Sequence, residues 1–108
     1  MLFRSQMEAT AVRFKVGDTW GEPTVIHNVA VLLSNTKLTI NSYQPQLYVF
    51  TSTASEETIG NDFILGSYAV DYDETPVYIR IMQRQSGNWQ IYIDFDKYTC
   101  CYDVKLIN

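Results

Sequence analysis

His27, in the run Val25-Ile26-His27-Asn28-Val29, is the only histidine of the chain, and histidine is the side chain whose ordinary charge change falls near neutral pH. A general base is the chemistry it offers. It shares parity with Val29, Val31 and Leu33, which places it near the end of an apolar strand face. There a histidine bonded to a backbone carbonyl or to water is the commoner occupant. No G-x-S-x-G elbow accompanies it, so no nucleophile is paired with it and no catalytic residue is assigned.

Cys100 and Cys101 are adjacent. In a strand, neighbouring side chains point to opposite faces, so the two thiols cannot easily bond to each other. Cys100 is expected on the core face opposite Ile93, as a small hydrophobe. Cys101 is expected to face out beside Tyr92, where its thiol is within reach of reaction; two reduced structural cysteines are the leading expectation and a disulfide between molecules is the lesser one. Two cysteines without a C-x-x-C spacing and one distant histidine do not make a zinc site.

Acidic side chains gather at Asp71, Asp73 and Glu74, and again at Asp94, Asp96 and Asp103. Neither run has the spacing of an EF-hand loop, and solvated turn and face charges are the expected role. The chain has no phosphate-cradling glycine loop. No metal and no cofactor is therefore expected.

The stretch Val77 to Phe95 carries the one surface constellation of interest. A three-residue loop at Ser86-Gly87-Asn88, with Asn88 left-handed, sets Gln85 against Trp89, Ile81 against Ile93 and Ile79 against Phe95 on one apolar face. The other face then pairs Met82 with Tyr92, Arg80 with Asp94 and Tyr78 with Asp96. Tyr78, Arg80, Met82, Tyr92 and Asp94 form a face rich in the residue types that anchor protein interfaces. These five are the expected protein-binding residues.

The elements that must position them follow from the same parity. A turn at Asp73-Glu74-Thr75-Pro76 puts Tyr72 against Val77, Val70 against Ile79 and Tyr68 against Ile81, with Asp71 beside Tyr78 and Ala69 beside Arg80 on the polar side. A turn at Asp96-Lys97 pairs Phe95 with Tyr98, Ile93 with Cys100, Ile91 with Tyr102 and Trp89 with Val104. Upstream, a turn at Asn35-Thr36 pairs Leu33 with Leu38 and Val31 with Ile40, and one at Gln44-Pro45 lines Ile40 with Val49. Val12, Phe14 and Val16 alternate with Ala11, Arg13 and Lys15 before the Gly17-Asp18 turn. Thr51 to Asn61 has no apolar periodicity, and at most one short helical turn is expected near residues 53–60.

The pattern describes an all-β chain, residues 1–108 as a single domain. It is an antiparallel meander of about eight strands, closed as a small barrel or strongly curled sheet, with a β-sandwich as the alternative. Composition agrees: 46% hydrophobic, 19% charged and eight tyrosines among 108 residues suit half-buried sheet surfaces.

A net charge of -4 argues against a nucleic-acid backbone as partner. No apolar run approaches the ~20 residues that span a bilayer, and Met1-Leu2-Phe3-Arg4 has no signal-peptide core, so no membrane association and a cytoplasmic location are expected. The leading functional expectation is a non-catalytic acidic module that works by contact with a protein partner or by self-association. The second is a barrel carrying a small molecule, set back by an inward list that includes Tyr68, Tyr72, Tyr98, Tyr102, Trp89 and Phe95. An enzyme using His27 is third.

Overall fold

A computed structural model describes residues 4–84 and 87–107. All ten of its strands belong to one antiparallel sheet: β1 (Arg4–Val16), β2 (Thr19–Trp20), β3 (Thr24–Ser34), β4 (Lys37–Ile40), β5 (Gln46–Phe50), β6 (Ser55–Ile59), β7 (Asp62–Val70), β8 (Pro76–Gln83), β9 (Trp89–Asp94) and β10 (Tyr98–Leu106). Eight of them close a barrel in the order β1-β3-β4-β5-β7-β8-β9-β10, with β10 returning to β1. The barrel expectation holds. β2 hangs from the outer edge of β1, and β6 continues alongside β7 beyond the end of β5.

Inward residues alternate along every wall and fuse into one core, where Met7, Ala9, Val31, Leu38, Ile40, Ile91 and Ile93 are essentially solvent-free. Each buried aliphatic side chain of this kind contributes roughly 1.5–3 kcal/mol relative to exposure. The long β1 bends to serve two neighbours. Its registers with β10 and β3 both shift between Ala9 and Ala11, and Asn28 on β3 takes φ 62° at the same level. Such a bulge sharpens the bend that closure demands.

The registers of β3 with β4 and of β9 with β10 are as expected, including Leu33 with Leu38 and Ile93 with Cys100. Three others differ. Between β7 and β8 the turn is longer, because Asp71 N–H donates to Thr75 O (3.1 Å) while Asp71 Oδ1 accepts from the N–H of Asp73 and Thr75 (both 2.9 Å). With Glu74 left-handed at φ 61°, Tyr68 meets Tyr78, Ser67 meets Ile79 and Gly66 meets Arg80. Parity therefore flips, and Tyr68 and Tyr72 stand outside, 61% and 68% exposed. Asp71 does not face Tyr78, nor Ala69 Arg80.

Between β8 and β9 the ladder slips by two. Arg84 N–H donates to Asn88 O (2.8 Å), and Gly87, not Asn88, takes the positive φ (93°). Gln83 faces Trp89, Ile79 faces Ile93, Arg80 faces Tyr92 and Tyr78 faces Asp94. A slip of two keeps every side chain on its face. The loop residues Gln85 and Ser86, and with them half of the expected pair Gln85 with Trp89, lie outside the described residues. Between β4 and β5, the loop runs from Asn41 to Pro45, so Leu38 faces Tyr48 and Val49 turns outward against Lys37.

Near residues 53–60, where at most one short helical turn is expected, the described residues hold none. Ser55 to Ile59 is strand, joined to β7 by a two-residue turn in which Gly60 supplies φ 63°. All five of its residues are exposed, so no face of it needed apolar side chains and no periodicity was written into it.

Candidate functional site

The five residues expected at a protein-binding face share the outer surface of β8 and β9, as parity requires. The polar groups of Arg80, Tyr92 and Asp94 are engaged within the molecule. Arg80 Nε and Nη2 donate to Asp94 Oδ2 (3.0 Å) and Oδ1 (2.9 Å), and Thr99 Oγ1 donates to the same carboxylate (2.8 Å). The Arg80 guanidinium also lies 4.6 Å from the centre of the Tyr92 ring. Tyr92 is only 6% exposed, because Trp20 of the β2 flap meets it edge-on at 6.1 Å. Arg13 lies over the Trp20 ring at 5.0 Å.

Arg84 extends this network to the rim. It donates to Gln90 Oε1 (2.9 Å), Tyr92 Oη (3.2 Å) and Asp62 Oδ2 (3.3 Å), which ties the end of β8 to the start of β7 from outside.

Cys101 faces outward opposite Tyr92, as expected, but it is 1% exposed and not open to reaction. Burial pushes its thiol above the usual value, and the adjacent Arg13 guanidinium and Tyr92 hydroxyl only partly offset that. Cys100 is buried on the core face with its thiol pushed up to about 12 by desolvation. Both are free thiols. His27 does not continue the apolar face. The left-handed Asn28 breaks the parity, and His27 is exposed on the surface. Among the described residues no cluster of histidine, cysteine and carboxylate side chains has the arrangement of a metal site.

The two ends of the barrel are built differently. At one end the interior is filled. Tyr48 Oη donates to Gln46 Oε1 (2.6 Å), and Gln46 Nε2 donates to Tyr102 Oη (2.9 Å) and Ser42 Oγ (3.0 Å). Phe95 stacks on Tyr98 at 4.6 Å, with the Tyr48 ring edge-on to Phe95. Desolvation raises both buried phenols, Tyr102 to about 12.

The other end opens into a cleft of about 1020 Å³. Phe63, Leu65 and Ser67 of β7 form one wall with Ile79, Ile81 and Gln83 of β8, and Trp89 of β9 stands at the rim. Leu33 to Thr36, the run Val49 to Ala54 and Glu56 also line it. The gap exists because β5 pairs with β7 only at Val49 with Val70 and Phe50 with Ala69. Beyond that point Thr51 to Ala54 leave the ladder as a bulge, with Thr51 N–H donating to Tyr68 O (2.9 Å), and β6 takes up the pairing.

Ser67 is the buried polar residue of this wall, 6% exposed. Its hydroxyl contacts Ser52 O and Tyr68 O (both 3.1 Å) and Ser52 Oγ (3.3 Å), which pins the bulge to β7.

Sequence reasoning placed Trp89 inward correctly and missed the cleft. The signal was the inward series Phe63, Leu65, Ser67, Ala69, in which side chains shrink towards the middle of the barrel and leave space. A second hollow of about 550 Å³ lies at the filled end, between the Ser42–Tyr48 segment and Asp71–Asp73. No helix long and apolar enough to cross a membrane occurs among the described residues. Comparison with protein-family models, with curated proteins and with solved structures returned no match.

Proposed function

We propose that this protein binds a small, largely apolar molecule in the open end of its barrel, as a carrier or sequestering protein rather than an enzyme. One observation carries the reading: a cleft of about 1020 Å³, walled by Leu65, Ile79, Ile81, Phe63 and Trp89, continues from the rim into the barrel. Its size is near the upper end of the ~300–1000 Å³ usual for ligand sites, and its β7–β9 wall is largely apolar as in most such sites, while serine, threonine, asparagine and glutamine side chains supply polar groups around it. Aromatic rings crowd only the filled end, where Tyr48, Tyr102, Phe95 and Tyr98 lie, while Tyr68 and Tyr72 stand outside. Two free thiols, Cys100 and Cys101, suit a reducing, cytoplasmic setting.

The test uses Trp89 as reporter. A brominated aliphatic alcohol is expected to quench Trp89 emission saturably, and to leave the remaining Trp20 emission unchanged in a Trp89→Phe variant. Quenching that is linear in concentration, or equal in both proteins, contradicts the reading.

A second reading, docking of a protein partner on the outer face of β8 and β9, is favoured by the stacked series Arg13, Trp20, Tyr92 and Arg80. It predicts that Trp20→Ala and Arg80→Ala abolish an association detected by sedimentation or by cross-linking in lysate. Association unchanged by both removes this reading.

A further inference from the structure

The charges around the cleft are one-sided. Among the described residues that line it, Glu56 is the only ionisable side chain. Its position is set by register: Glu56 faces Leu65 across the β6–β7 ladder, and Leu65 faces Ile81. Cross-strand partners share a face, so the Glu56 carboxylate stands on the cleft side of the sheet while Glu57 stands on the other.

Arg80 and Arg84, the arginines at β8, leave on the outer face and are held by Asp94 and Asp62.

The Ser67 and Ser52 hydroxyls are engaged with each other and with backbone groups. A carboxylate headgroup at the cleft would stand beside the like charge of Glu56. An ammonium headgroup meets the opposite situation. It stays at the solvated rim near Glu56 while its apolar body occupies the barrel, and aromatic rings such as Trp89 and Phe63 favour a cation further.

From this we infer that the occupant is a cationic amphiphile: an apolar chain or ring system carrying an amine or quaternary ammonium, and not a fatty-acid anion. The inference rests on the reading of the cleft as a ligand site and adds the sign of the ligand's charge.

Three probes with the same apolar body separate the two claims: decyltrimethylammonium, decanol and decanoate, titrated by calorimetry below their aggregation limits at pH 7.5. The ammonium is expected to bind about tenfold or more tightly than decanoate, the scale of one opposite-for-like charge exchange near a surface. Decanol should fall between them. Glu56→Gln should bring the ammonium within about twofold of decanol and leave decanol itself unchanged, since an exposed rim charge acts only through its field.

Decanoate binding as tightly as the ammonium, or an ammonium preference that survives Glu56→Gln, overturns the charge inference while the cleft remains a ligand site. Failure of all three probes to bind overturns both.

Discussion

Arg80 holds Asp94 through two hydrogen bonds although the two are not cross-strand partners: Arg80 faces Tyr92, and Tyr78 faces Asp94. The guanidinium reaches diagonally across the Tyr92 ring to find its carboxylate. Long side chains bridge such diagonals readily. The pair is about one-third exposed on each side, which keeps its worth near the upper end of the ~0.2–1 kcal/mol range for surface pairs. Arg80→Lys, which loses the bidentate geometry and the flat stacking surface, is expected to cost about 0.5–1 kcal/mol in urea denaturation. A Lys variant as stable as the parent would show that neither contributes.

The Tyr78 ring lies directly on Gly66, close enough that no Cβ fits beneath it without displacing the ring. Tyr68 packs against Tyr78 at 4.8 Å and restricts its retreat. Gly66→Ala is therefore expected to destabilise by about 1–2 kcal/mol, the usual cost of overpacking. In the Tyr78→Ala background the same substitution should become neutral or stabilising, because the obstruction is gone and a strand alanine loses less entropy than glycine. Equal effects in the two backgrounds would refute the contact. The measurement is a double-mutant cycle in denaturant midpoint.

Alkaline pH should unfold this protein. The Cys100 thiol titrates ordinarily near 9.0 and is pushed to about 12 by burial, and Tyr102 rises from 10.0 to about 12 for the same reason. A raised folded-state pKa means that the unfolded chain loses its proton first as pH increases. The stabilisation is complete below about pH 9 and is lost progressively towards pH 12, by up to about 4 kcal/mol for the thiol alone at ~1.36 kcal/mol per unit. The urea midpoint should hold level from pH 7 to 9 and fall steeply by pH 11. Cys100→Ala should flatten part of that fall, though it lowers the plateau by leaving a small void. A midpoint constant to pH 11 contradicts the buried, protonated state of these groups.

Much of the fold was legible because apolar side chains must share a face. The pairs Leu33 with Leu38 and Ile93 with Cys100 came directly from parity and short turns. Parity cannot detect a slip of two, however, and Arg80 opposite Asp94 looked complementary in a ladder that is in fact displaced. It also cannot see a turn held by a side chain. Asp71 Oδ1 accepts two backbone N–H groups, absorbs one more residue than expected and turns Tyr68 and Tyr72 out of the barrel. β6, exposed on both faces, has no hydrophobic signature at all. The break between β5 and β6 along β7 opens the cleft, and so the site most worth testing lies beside a strand that periodicity could not show.

The central claim is that the open end of the barrel takes up a small apolar molecule, and the direct measurement is titration with the neutral fluorophore N-phenylnaphthylamine. Saturable one-to-one binding with a micromolar dissociation constant is expected, about -8 kcal/mol. Decanol should displace it. In Leu65→Trp, where the added ring occupies the cleft between Phe63 and Ile81, binding should fall at least about tenfold with the circular dichroism spectrum unchanged. Absence of saturable binding by the parent protein, or binding that Leu65→Trp leaves intact, contradicts the account.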